Sequence, residues 1–294
     1  MGGREREQMK DVEKSVRLDW LVTVLVSLSF LALPRYGSGA SGPSSSGKSS
    51  PVGSPGSDLS ATNPLLEKLS FPCKGPTTIK GSEWLTVDPE TRYTLSGWFR
   101  SAGKEPSNIY LGFMCFDADK KPIASEHVGV LGATETALYE DCKKEDTVIK
   151  VVHAFKWKEN SRACVAFDAD DSGRYKDLPN RNLSGFGINK LDEKDGYWEV
   201  HLNGPCGQAY PAGTKVREHF AGPAYLYCAA SAQAVPTEWT QYSGTVLGIA
   251  GAGAGNARWW KGTKYAKLIL LVNYQQSEDC IALVSGLDIK AETP

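Results

Sequence analysis

The sequence predicts an all-β fold, a two-sheet antiparallel β-sandwich of jelly-roll type, preceded by a hydrophobic leader and a disordered linker. Three observations carry this. From about Leu65 to Thr293, short segments alternate apolar and polar residues with a period of two, Gly, Pro, Asp and Asn punctuate them, and helical periodicity is almost absent. So many strands without intervening helices bury their apolar faces by packing two sheets around one core. The chain has 294 residues, 41% of them hydrophobic, and a formal charge of -1. That balance excludes a nucleic-acid binder's charge excess and, for the chain as a whole, a disordered composition.

In chain order, residues 1–36 read as a signal peptide or signal-anchor. A charged stretch to Asp19 precedes an apolar core of 14 residues, Trp20 to Leu33. This is shorter than the roughly 20 residues of a relaxed membrane span and fits the about 7–15 of a signal-peptide core. Ser38-Gly39-Ala40 suits cleavage, whereas the long mixed-charge stretch before the core suits an uncleaved anchor with residues 20–33 as a membrane tether. Both readings send the rest of the chain into the secretory pathway, either extracellular or as a type II single-pass protein. Residues 37–64 are a Ser/Gly/Pro-rich flexible linker. Within it, GPSSSGKS (42–49) spells the P-loop pattern. No strand leads into that string, and Pro51 and Pro55 block a helix after it, so no nucleotide is expected.

Residues 65–294 form the expected sandwich, one domain with one core. Its candidate strands are RYTLSGWFR, NIYLGFMCF, PIASEHVGV, TVIKVVHAF, RACVAFD, FGINKL, YWEVHLN, KVREHF, AYLYCAA, WTQYSGTVLG, KYAKLILLVNY and CIALVSGLDIK. VDPETRYTLSGWFRSAG, NIYLGFMCFDADKKPI, PTEWTQYSGTV, GTKYAKLILLVNY and IALVSGLDIK together resemble the carbohydrate-binding-module jelly rolls of galactose-binding-like type. The resemblance spans nearly all of residues 77–290 and implies a lectin-like module that binds a glycan or polysaccharide.

Side chains alternate across a strand, so parity separates core from solvent. Trp198, Val200 and Leu202 share a core face, which turns Tyr197, Glu199, His201 and Asn203 outward. The same parity turns Lys215, Arg217 and His219 away from Val216 and Phe220, and Tyr225 and Tyr227 away from Leu226 and Cys228. If these strands are neighbours, they form a polar, aromatic patch. Such a patch suits sugars, whose flat C–H faces pack on rings while their hydroxyls bond to planar polar groups. Trp98 falls on a polar face, one of Trp259 and Trp260 is expected either at the surface, as a further ligand contact, or under a loop, and Trp84 and Trp239 read as core. GAGAGN (251–256) reads as a flexible loop.

Asp168, Asp170 and Asp171 begin like a calcium loop, but Pro179 stands where the bidentate Glu belongs, so this is no EF-hand. Either calcium held in another way or an acidic turn accounts for them. Asn182-Leu-Ser184 is a glycosylation sequon in a loop expected to be exposed. The seven cysteines lack metal-ligand spacing, and in an oxidising lumen their pairing is open to on the order of a hundred connectivities. Nucleophile-elbow, zinc-protease and dinucleotide fingerprints are absent, which favours a binding protein over an enzyme. His201 and His219 remain the one catalytic pair to test. The rivals to non-catalytic glycan binding are therefore a polysaccharide-modifying enzyme on the same face and a structural or adhesive sandwich that binds protein.

Overall fold

Sixteen strands follow one short helix in the computed structural model, which describes residues 64–293; the leader, the P-loop-like string and nearly all of the linker lie outside the described residues. Helix α1 (Pro64–Lys68) precedes β1 (Phe71–Lys74), β2 (Thr77–Lys80), β3 (Leu85–Thr86), β4 (Arg92–Ser101), β5 (Ser107–Phe116) and β6 (Pro122–Ile123). A middle group comprises β7 (Thr136–Ala137), β8 (Val148–Val151), β9 (Ala163–Phe167), β10 (Ile188–Lys194), β11 (Tyr197–Leu202) and β12 (Lys215–Phe220). The chain ends with β13 (Leu226–Val235), β14 (Thr240–Val246), β15 (Tyr265–Val272) and β16 (Ile281–Glu292).

The first and last groups build the sandwich. One sheet runs β1-β16-β4-β14 and the other β13-β5-β15-β2, with β3 and β6 at the margins and every pairing antiparallel. If the eight principal strands are counted consecutively, these orders become 1-8-3-6 and 5-4-7-2, the interleaving of a jelly roll. Alternation does the sorting. Tyr93, Leu95 and Phe99 of β4 face Ile109, Leu111 and Phe113 of β5 and Leu268, Leu270 and Val272 of β15 across one buried cluster. Gly112 is required where β13 crosses β5, since a Cβ there would lie 2.0 Å from the carbonyl oxygen of Leu226.

The middle group is an insert between β6 and β13. Sheets β8-β11-β10 and β7-β12-β9 enclose a second apolar cluster, with Ile149, Val151 and Val200 on one side and Val165, Phe167 and Val216 on the other. Phe167 and Tyr210 stack within it at 4.0 Å and 3°. The single core expected from the sequence is thus two main clusters, because the six insert strands close on each other rather than extend the sandwich. The expected strand PIASEHVGV also breaks: after Ile123 the chain turns through a 3-10 helix, Ser125–His127, whose first turn is tied by the Ala124 N–H donating to His127 Nδ1 at 3.0 Å.

Insert and sandwich touch through Val128, which is buried in the sandwich core cluster, and through polar contacts. Gly253 N–H donates to Val128 O (2.6 Å), Lys261 Nζ to Arg174 O (2.5 Å), and Arg181 pairs with Asp117 at 2.8 Å. Gly262, at φ +85°, lies so close to Pro179 that a Cβ would come within 2.4 Å of its Cδ. Among the described residues, no helix is long and apolar enough to cross a membrane.

Candidate functional site

The outer face of sheet β8-β11-β10 gathers rings and charges open to solvent. Ile149 and Val151 point into the insert core, so Val148, Lys150 and Val152 point out. Register then aligns Glu199 with Lys150 and with Asp192, and His201 with Val148 and Lys190. Tyr197 stands in the same outward row and stacks on Tyr139 with ring centroids 5.0 Å apart and planes 23° off parallel. Tyr139 keeps half its surface exposed (50%), and Lys150 Nζ lies 5.2 Å from the Tyr197 ring centroid. The row Tyr197, Glu199 and His201 is therefore assembled as alternation predicts, and Tyr139 is its addition. Tyr139 carries no strand pattern of its own; only its hydrogen-bonded partner, Lys150 O at 2.8 Å, brings it there.

Charges on this face are paired locally. Glu140 bonds Lys150 at 3.1 Å and raises its ammonium pKa, while Lys190, at 2.7 Å, lowers that of Asp192. Asp192, Glu199 and His201 bring their ligand atoms within 4.8 Å of one another, the one such trio among the described residues. These three could hold a divalent cation, yet Lys190 on Asp192 and Lys194, 3.3 Å from Glu199, already neutralise the carboxylates.

Beside the aromatic pair a cleft of about 310 Å³ opens, lined by Glu135, Thr136, Ala137, Val152, His153, Asp171 and Lys215. Its origin is the segment 136–139, which pairs with β12 on one side (Lys215↔Ala137) and bridges to β8 on the other (Leu138↔Val151). The cleft marks that junction of the two insert sheets. Two acids, an imidazole, a hydroxyl and an ammonium thus line a recess next to a ring platform.

The other expected site residues go elsewhere. Arg217 and His219 are fully buried (0%), because β12 is covered on both faces: the apolar cluster takes one, and the 3-10 helix and the loop 170–181 take the other. Tyr225 and Tyr227 sit on the outside of the second sandwich sheet, where Tyr227 meets Tyr110 at 5.0 Å over Ile269 and Leu271. They do not join Tyr197. Trp259 and Trp260 are both 0% exposed, a correction to the surface expectation: both indoles belong to the sandwich core cluster, Trp259 edge-on to Tyr93 at 5.4 Å and Trp260 under the preceding loop, its indole N–H donating to Gly255 O at 3.0 Å. Trp84 is corrected the other way. It is 40% exposed, with Lys267 Nζ 4.2 Å from its ring centroid. Trp239 is half-buried rather than core, donating to Glu67 Oε1 at 3.1 Å, and Trp98 is half-buried on its outward face.

Asp168, Asp170 and Asp171 do not converge. Asn182 Nδ2 donates to Asp168, the Ser172 and Lys176 N–H groups donate to Asp170, and Asp171 pairs with Lys215 at 3.1 Å. The backbone N–H groups hold the Asp170 carboxyl down at about 2, as in an acidic turn. The sequon loop is less open than expected: Asn182 is half-buried and Ser184 is buried, its hydroxyl accepting the Val165 N–H at 2.9 Å. Sequence reasoning passed over Glu218, fully buried with Oε2 accepting only the Lys158 N–H and Oε1 without a partner. Its signal was present, since alternation sets Glu218 between Val216 and Phe220 on the apolar face. Burial pushes its carboxyl up to about 7.

No family model, curated protein or solved structure matches this chain.

Proposed function

We propose that the protein binds carbohydrate without transforming it, through the outer face of sheet β8-β11-β10 and the adjoining cleft. The observation that carries this reading is the half-exposed Tyr139 stacked on Tyr197 beside Lys150, Glu199 and His201. A pyranose ring packs its C–H face on such a ring, and its hydroxyls bond to planar carboxylate and imidazole groups at the rim. The jelly-roll strand order of the sandwich is compatible with the same reading. In it, the apolar stretch 20–33 delivers the chain to the secretory side and either leaves or tethers it there.

Non-catalytic binding is favoured over hydrolysis because the two carboxylates central to this face, Asp192 and Glu199, are held by Lys190 at 2.7 Å and Lys194 at 3.3 Å. A second reading, protein docking, rests on Val148, Val152 and Phe155, all exposed next to the ring pair. A glycan array probed with the folded protein, its Tyr139→Ala and Tyr197→Ala variants and a reducing-end assay separates these. Retention that falls at least tenfold in both variants, with no new reducing ends, supports glycan binding; new reducing ends support the enzyme. Absence of retention on every glycan removes the reading and leaves the docking surface.

A further inference from the structure

We propose that Cys142 and Cys206 form a disulfide that staples the two loops flanking β8 and β11. Their Sγ atoms stand 2.6 Å apart inside the insert, with the residues 4% and 1% exposed. The backbone holds them there without help from sulfur. Cys142 and Tyr210 exchange both N–H···O bonds at 2.8 Å, Cys206 N–H donates to Asp146 O at 2.8 Å, and Gly207 N–H donates to Lys144 O at 3.0 Å. Segments 142–146 and 206–210 are thereby fixed side by side, so the backbone itself brings the two sulfurs together. Around the sulfurs lie Tyr210, stacked on Phe167, and the end of the insert core.

The oxidant is of the small-molecule disulfide class. One protein thiolate attacks its S–S bond and releases the first small thiol, leaving a mixed disulfide; the second protein thiolate attacks that and displaces the other small thiol. Two electrons pass from the protein sulfurs to the oxidant, and the two thiol protons end on the small thiols. Burial raises the pKa of both protein thiols and shields them in the folded insert, so the reaction belongs to the folding chain rather than the finished one. Cys280, by contrast, directs its thiol to Pro106 O at 3.2 Å. The two partners lie 64 positions apart, a loop long enough for closure to stabilise the fold substantially.

The test is disulfide mapping of the protein refolded with oxidised glutathione. Free thiols are alkylated, the chain is digested without reduction, and linked peptides are identified by mass. A linked peptide joining Cys142 to Cys206 is expected. Alkylation of both residues, or a link from either to another cysteine, overturns the proposal. Melting supplies the second readout: oxidised Cys142→Ala should melt about 10 °C below the oxidised wild type, with the two reduced forms close together. Equal melting of the oxidised forms counts against the staple even where the variant folds poorly enough to obscure mapping.

Discussion

Arg217 Nε donates a 2.8 Å hydrogen bond to His219 Nε2 two positions along the same strand, and neither side chain is exposed. With Nε2 accepting, the ring proton sits on Nδ1, which donates to Glu126 O at 2.6 Å. Arg217 in turn reaches Asp177 at 2.5 Å, and Asp177 takes further bonds from the Asp170 N–H and from Asn180 Nδ2. One interior network thus pins both the 3-10 helix and the loop 170–181 onto β12.

Protonating His219 would set an N–H against the guanidinium N–H. Desolvation first, and then the Arg217 charge, lower its pKa to about 4 from 6.5. The unfolded chain therefore takes up the proton first, and His219 stability present above pH 6.5 is lost as pH falls toward 4, by up to about 3 kcal/mol. Glu218 acts in the opposite sense. With its folded pKa raised to about 7 from 4.5, it stabilises below pH 4.5 and loses that contribution as pH rises through 7. Between pH 4.5 and 6.5 the two slopes oppose each other in the wild type. Glu218→Gln should unmask a rise in stability over that window and be more stable at pH 8, as read by urea unfolding at a series of pH values. A variant whose pH profile parallels the wild type refutes this assignment.

Asp177→Ala should leave the Arg217 guanidinium buried without its partner and cost roughly 3–5 kcal/mol. Asp171→Ala, which breaks a half-exposed pair with Lys215, should cost at most about 1 kcal/mol. Chemical denaturation of the two variants side by side measures the contrast.

Sequence alternation read the sandwich well because its strands are long and each has one face on the core: β14 and β15 fall within runs visible as period-two segments, and β4, β5 and β16 overrun theirs only at an end. Strands β1, β2, β3 and β7 escaped notice, being four residues or fewer and recruited by neighbours rather than by pattern. Parity put Tyr197, Glu199 and His201 on one outward face because their strand has one open face, and it misplaced Arg217 and His219, whose strand has none. Parity says which residues share a face; it cannot say what covers that face.

Trp259→Ala should lower stability by about 3–5 kcal/mol, since the indole fills the space between Tyr93 and Phe113. Thermal and urea unfolding report this directly, and glycan retention measured below the variant's melting temperature should be unchanged.

Tyr139 and Tyr197 should couple by roughly 0.5–1.5 kcal/mol in a double-mutant cycle of stability, as stacked rings do beyond their buried area. An additive cycle would mean that the rings meet only in passing and offer no fixed platform.

The chain leaves the sandwich after β6, which pairs with β5, and returns on β13, whose Leu226 lies opposite Phe113 of that same β5. Departure and re-entry therefore share a doorway. A short turn could close the same gap, so the hundred-odd-residue excursion hangs from one edge of one strand, and cutting it away would unseat Val128 from the sandwich core and Arg181 from Asp117.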